Sequence, residues 1–499
     1  MEPVVHTKCG PVRGQVRDGV AIFLGIPYAA SPTGGLRFAA PVPPEPWADV
    51  LDGCAFGPTP PKPAYPAPFD ALLKEPDIAG DNWLNLNVWT RPDHGSANSA
   101  RLPVMVWIHG GAFANGNSAI PWYDGHGFAK AGVVLVSINY RLGVDGFALL
   151  PDAPANRGLL DQIAALEWVR DNISAFGGDP ANVTIFGESA GAMSVITLLS
   201  LPRAAGLFAK AIAQSGATQA AADPADAALV TAELGEALGP ALADTDVTAT
   251  GLAGVKIDTL IAAQAAVRDA LAADPNPARF GASIVVSSMP FVPVIDDDLM
   301  TEHPLAAIAA GAGSTVPLLI GTNTEEFRLF LVPPGTVDLI TPDLLPFVSG
   351  AIGADQGVIG RYQANRPGAS AGDVFAALLT DKFFRLPALA VAQARSGGPA
   401  ATFCYEFAWG HPPIGAGHSL EIPFVFDNLA VAADDPVIGA DPPQELADEM
   451  NSAWVRFATG GDPGWPAFDD SRPVRIFDAD GGRIEHDPRG DERAIWPAG

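Results

Sequence analysis

The strongest constraint on how this chain folds is a serine set between a strand and a helix. Val183-Thr184-Ile185-Phe186 is a β-branched and aromatic run that reads as a buried strand. Ala192-Met193-Ser194-Val195-Ile196-Thr197-Leu198-Leu199 reads as a buried helix. Between them stand Gly187-Glu188-Ser189-Ala190-Gly191. A serine on such a turn, with a glycine two residues away on each side, has the form of a nucleophile elbow. The turn brings the chain close to itself, so a Cβ at either glycine position would clash. It lifts the hydroxyl to the carboxyl edge of a sheet. The amides that open the helix then point where a negative oxygen would form.

Other apolar runs extend the pattern. Val104-Met105-Val106-Trp107-Ile108 and Val133-Val134-Leu135-Val136-Ser137-Ile138 read as strands buried on both faces, as in a mostly parallel sheet. Ile163, Leu166, Val169 and Ile173 recur at helical spacing, which predicts an amphipathic helix over 161–173. Phe176-Gly177-Gly178-Asp179-Pro180 turns the chain toward the strand before Ser189. Val316–Ile320 and Ala401–Phe407 add two later strands. Strand and helix alternating is the doubly wound α/β pattern. At 499 residues the length alone suggests about three domains, yet no linker or charge run divides the chain. The expectation is one α/β domain over 1–499, with a mostly parallel central sheet flanked by helices. Helical insertions at about 224–289 and 342–395 are expected to form a cap or regulatory subdomain over the site.

Composition narrows the function. A hydrophobic share of 48% with 17% charged residues excludes a disordered chain. A net charge of -27 excludes nucleic acid as a partner, since no basic surface is available to displace counterions. Met1-Glu2-Pro3-Val4-Val5-His6 has no basic or apolar leader character, and no apolar run approaches the roughly 18 residues that span a bilayer. Three scattered cysteines, Cys9, Cys54 and Cys404, suit a reducing cytoplasm better than a disulfide framework. A cytoplasmic protein with no membrane partner is expected. There is no H-E-x-x-H, C-x-x-C or Walker lysine, so neither a metal nor an organic cofactor is expected.

Serine is a weak nucleophile that needs a base and an acid to orient it. The elbow resembles that of the α/β-hydrolases, in which the order along the chain is Ser, acid, His. Ligands of open α/β sheets bind beyond the carboxyl ends of the strands. The strand ending at Ile320 leads into Thr322-Asn323-Thr324-Glu325-Glu326, which puts a carboxylate there. The strand ending near Phe407 leads to His411 and His418. His303 precedes the acid, and His486 sits in a polar tail. Spacing alone leaves His411 and His418 both open. His109-Gly110-Gly111-Ala112-Phe113 follows the strand ending at Ile108. Its amides are placed to join the Ala190 amide in an oxyanion hole. His109 itself reads as a structural histidine that anchors this loop. Trp122, Phe327, Phe330 and Trp409, near these loops, are candidate pocket walls.

These residues in this order resemble the type-B carboxylesterases, the bacterial p-nitrobenzyl esterase and cholinesterase group. Phe23–Ala29 with Arg37-Phe38 and Trp47, Asp161-Gln162, Phe176–Pro180, Gln214-Ser215-Gly216, Pro290–Asp296, and Trp454–Ala458 with Gly461-Asp462-Pro463 carry the likeness across nearly the whole chain. The resemblance implies an α/β-hydrolase fold and a serine carboxylic-ester hydrolase that works through an acyl-enzyme. It implies Glu326 as the acid and His418, before Glu421-Ile422-Pro423-Phe424, as the base. It assigns the oxyanion donors to the amides of Gly111, Ala112 and Ala190. Glu188 is implied as a supporting carboxylate and Ser215 as a buttress of the histidine. Trp83 stands where the family often has a disulfide cysteine, which fits a bacterial-type cytoplasmic member. The Gly-Gly-Ala loop implies some capacity for bulky or tertiary alcohol esters. The expected substrates are small-molecule esters, short- to medium-chain or aryl. The alternatives are amides, carbamates or polyesters by the same mechanism, or a non-catalytic binding protein on this fold. Oligomeric state stays open.

Overall fold

The apolar runs become strands of one eleven-stranded sheet in the computed structural model, which describes residues 2–93, 100–242 and 245–496. Its strands are β1 (Gln15–Arg17), β2 (Val20–Pro27), β3 (Asn85–Thr90), β4 (Leu102–Ile108), β5 (Val134–Ile138), β6 (Gly178–Glu188), β7 (Lys210–Gln214), β8 (Leu318–Asn323), β9 (Thr402–Phe407), β10 (Pro473–Phe477) and β11 (Arg483–His486). Their spatial order is β11-β10-β9-β8-β7-β6-β4-β5-β3-β2-β1. From β4 to β10 all neighbours run parallel, while β1, β2, β3 and β11 pair antiparallel. This is the expected α/β-hydrolase architecture.

Alternate residues of the central strands feed two cores on opposite faces. Val104, Val106, Ile108 and Ile185 pack with the helices Arg157–Asn172 and Ala190–Ser200. Met105, Trp107 and Phe186 pack on the other face with the helix Gln444–Gly460. Burial on both faces is why these strands read as continuous apolar runs instead of alternating ones. The helix expected over 161–173 starts earlier, at Arg157, and ends in a short 3-10 turn at Ile173–Phe176. Strands β1, β2, β3, β7, β10 and β11 were not expected. β7 is Lys-Ala-Ile-Ala-Gln, whose alanines carry little strand preference, yet every residue is buried between β6 and β8.

The two insertions differ. Pro224–Leu238 and Ile257–Ala273 place Leu234, Val267 and Leu271 in the main core, with residues 243–244 of that insertion outside the described part. The second insertion builds a separate cluster from Leu345, Val358, Ile359, Tyr362, Val374 and Leu378, closed by Trp496.

Candidate active site

The chain passes from β4 to β5 on one side and then to β6 on the other, so β4 is where the strand order reverses. In open α/β sheets the crevice beyond that point is where ligands bind. The loop after β4 carries His109–Phe113, and the turn after β6 carries Ser189.

Ser189 adopts φ 55° and ψ -123°, a strained conformation for a residue with a side chain. The neighbours enforce it. A Cβ at Gly191 would lie 1.9 Å from the Ile108 carbonyl oxygen, and one at Gly187 would lie 2.5 Å from the same atom. The Ser189 amide donates to the Gln214 carbonyl at 2.9 Å, which ties the turn to β7. Gly111 and Ala112 also have positive φ, at 111° and 54°, so the loop after β4 turns back toward Ser189. Among the described residues the Gly111, Ala112 and Ala190 amides donate to no other group of the chain.

Glu326 and His418 meet from the ends of β8 and β9. His418 Nδ1 donates to Glu326 Oε2 at 2.6 Å, and the Asn323 amide donates to Glu326 Oε1 at 2.8 Å. Glu326 is fully buried. Glu325 is instead half exposed, accepting from the Ala416 amide at 3.0 Å. His411 lies in a loop bridged to Gly415, and His303 begins the helix Pro304–Ala309. The chain thus brings Ser189, Glu326 and His418 to one edge.

His418 Nε2 lies 3.0 Å from Glu188 Oε1, and no hydrogen bond joins it to Ser189 in this arrangement. The Ser419 hydroxyl donates to the same Glu188 oxygen at 2.6 Å. Burial would lower the His418 pKa, but the Glu188 and Glu326 carboxylates outweigh it and hold it at about 9. Burial raises the Glu188 pKa in turn, partly offset by His418. Glu421 was not singled out from the sequence. It is fully buried behind the histidine, receives Asn323 Nδ2 at 2.8 Å and Gln214 Nε2 at 3.1 Å, and is pushed up by burial and by Glu326. A lone carboxylate in the apolar run Leu420–Phe424 was the available signal. Ser215 is buried with φ 53°, and among the described residues its hydroxyl has no hydrogen-bond partner.

A cavity of about 570 Å³ opens on Ser189 and His418. Its walls include Trp122, Phe327 and Phe330, with Tyr65, Tyr123, Met193, Phe383 and Phe384. Trp409 is not among them. It lies two residues beyond the end of β9 and packs on Phe407 and Phe424 at ring distances of 6.5 and 5.1 Å, against the core. Ser287, Ser288 and Met289 from the first insertion line the cavity, as do Phe383 and Phe384 from the second. Among the described residues no cluster of His, Cys, Asp and Glu is arranged as a metal site, and no helix is long and apolar enough to cross a membrane.

The fold and the strained serine at the sheet's switch point define an α/β-hydrolase. A model of the carboxylesterase family matches residues 1–340 and 353–479. The para-nitrobenzyl esterase of Bacillus subtilis is 39% identical, covering 98% of this chain and 97% of its own. The phenmedipham hydrolase of Pseudarthrobacter oxydans is 32% identical, with 96% of each chain covered. The crystal structure of the Geobacillus stearothermophilus carboxylesterase EST55 superposes with a TM-score of 0.84 at 36% identity, over 99% of both chains. The chain belongs to the carboxylesterase family, and it is a carboxylic-ester hydrolase.

Proposed function

We propose that Ser189 is the nucleophile, His418 its base, and Glu326 the acid that orients the imidazole. The observation that carries this reading is the 2.6 Å Glu326–His418 bond at the same cavity edge as the strained Ser189. Ser189 Oγ attacks the ester carbonyl as His418 Nε2 takes its proton. Glu326 holds the Nδ1 proton and stabilises the imidazolium. The Gly111, Ala112 and Ala190 amides receive the oxyanion, each contributing about 3 to 4 kcal/mol in the transition state. The alcohol leaves, and water activated by His418 releases the acid. Glu188 holds Nε2 in the resting site and yields it when substrate enters. Ser215 is the buttress of His418.

The aromatic and aliphatic cavity walls suit aryl and short- to medium-chain esters. The para-nitrobenzyl esterase among the relatives supports aryl and benzyl esters as substrates. The Gly-Gly-Ala loop supports access for tertiary alcohol esters. The two helical insertions serve as a cap over the cavity, and the free cysteines suit a bacterial cytoplasm. Hydrolysis of p-nitrophenyl acetate, butyrate and octanoate by wild type, Ser189→Ala and His418→Ala tests the reading. The expected result is a loss of several orders of magnitude in both variants. Activity that survives in Ser189→Ala overturns it.

A further inference from the structure

In the second insertion, the helices Ala371–Thr380 and Leu386–Ala394 are joined by a single π-turn, Asp381–Arg385. Pro387 explains its position. Proline has no N–H, so the Phe383 carbonyl four residues earlier lacks a helical donor. The Gln219 side chain donates to that carbonyl instead. Such turns are rare and gather at functional sites.

The turn has two faces. One carries Phe383 and Phe384 in the cavity wall. The Phe384 ring lies 4.8 Å from the His418 ring and 5.8 Å from Phe327. The other carries Asp381 and Arg385, both buried, with Arg385 Nε donating to Asp381 Oδ1 at 2.6 Å. The Tyr362 hydroxyl donates to Asp381, and Trp496 Nε1 donates to that hydroxyl at 2.9 Å. Arg385 Nη1 donates to the Pro488 carbonyl at 3.0 Å. The C-terminal segment thus pins the turn from behind. In front, the Phe327 amide donates to Thr380 Oγ1 at 3.1 Å, one residue from Glu326.

We propose that the Asp381–Arg385 pair, braced by Tyr362, Trp496 and Pro488, positions Phe384 against His418 and so sets the chain-length selectivity of the cavity. These are positioning residues, since they act through Phe384 and touch no substrate. The inference rests on the proposed roles of Ser189 and His418. Interiors are close-packed, so a change behind the turn is transmitted to the ring in front of it.

The test compares kcat and KM on p-nitrophenyl acetate and octanoate. The variants are Asp381→Asn, Tyr362→Phe, Phe384→Ala and the double variant Asp381→Asn/Phe384→Ala. Arg37→Gln, which breaks a buried ion pair remote from the cavity, controls for lost stability. Asp381→Asn is expected to change the octanoate-to-acetate ratio of kcat/KM by about tenfold, and Tyr362→Phe by about threefold. Phe384→Ala reproduces the larger change, and the double variant adds nothing to it. Arg37→Gln lowers Tm and leaves the ratio alone. If Asp381→Asn fails to fold, Tyr362→Phe carries the comparison. An unchanged ratio in folded Tyr362→Phe overturns the proposal. So does an equal change in Arg37→Gln, or an additive double variant. Ser189→Ala assayed alongside separates the two levels. Surviving activity there defeats the reading of the site, whereas lost activity with unchanged ratios defeats only the brace.

Discussion

His109 and His418 are both buried within the same site, and they titrate in opposite directions. His109 Nδ1 donates to the Gly110 carbonyl at 2.8 Å, and its ring stacks on Tyr140 at 4.5 Å. Burial takes its pKa down to about 3, and the nearby Lys62 charge pushes the same way. His418 is equally hidden but faces Glu188 and Glu326, which hold it at about 9. Burial disfavours the charged form of both rings, and the carboxylates decide which sign survives. A histidine against aromatic and backbone groups becomes a neutral strut for the loop after β4. The same residue between two carboxylates becomes a group able to carry a proton.

The largest contrast is expected from deleting each ring. His418→Ala should lower kcat by about four orders of magnitude, whereas His109→Asn should cost less than about tenfold. Comparable losses from both would erase the distinction. Glu326→Gln, which keeps the shape and removes the charge on Nδ1, should cost about a thousandfold or more in kcat with KM little changed.

Glu188→Gln sharpens the contrast more gently. Removing an anion that faces Nε2 destabilises the imidazolium, so the His418 pKa falls. The acid limb of the kcat/KM profile should then move about one pH unit lower. A limb that stays in place would show that Glu188 does not set the charge of this ring.

The smallest effect is on stability. The folded pKa of His109, about 3, lies below its ordinary value of 6.5. Its contribution is therefore complete above pH 6.5 and is lost as pH falls toward 3, because only the unfolded chain takes the proton. The slope is about 1.4 kcal/mol per pH unit. His418, raised to about 9, acts in the opposite sense and contributes below pH 6.5, losing that contribution as pH rises toward 9. Unfolding free energies from pH 7 to pH 5 should fall less steeply in His109→Asn than in wild type. Identical slopes would remove His109 from this account.

The central strands were legible because β-branched runs buried on both faces have few other destinations. β7 was not, since its alanines are held in the sheet by neighbours and not by preference. The choice of His418 over His411 came from family likeness, because spacing does not distinguish them. The structure shows a physical difference: Glu326 lies fully buried and bonded to His418, while His411 closes its own loop on Gly415. Trp409 misled because closeness in sequence to a catalytic loop does not say to which side a strand-end residue turns. Phe384 escaped notice because nothing in its own segment points to a histidine 34 positions away, though the two rings sit 4.8 Å apart.

By itself the sequence determined the elbow and the apolar central strands around it. Gly187 and Gly191 exclude every side chain that would crowd Ile108, and steric exclusion acts over a few residues. The charge on the histidines and the walls of the cavity were decided only in the folded molecule. Glu326 stands 92 positions from His418, and Glu188 stands 231 from Ser419. Electrostatics and packing depend on distance through space, and only the fold sets that distance.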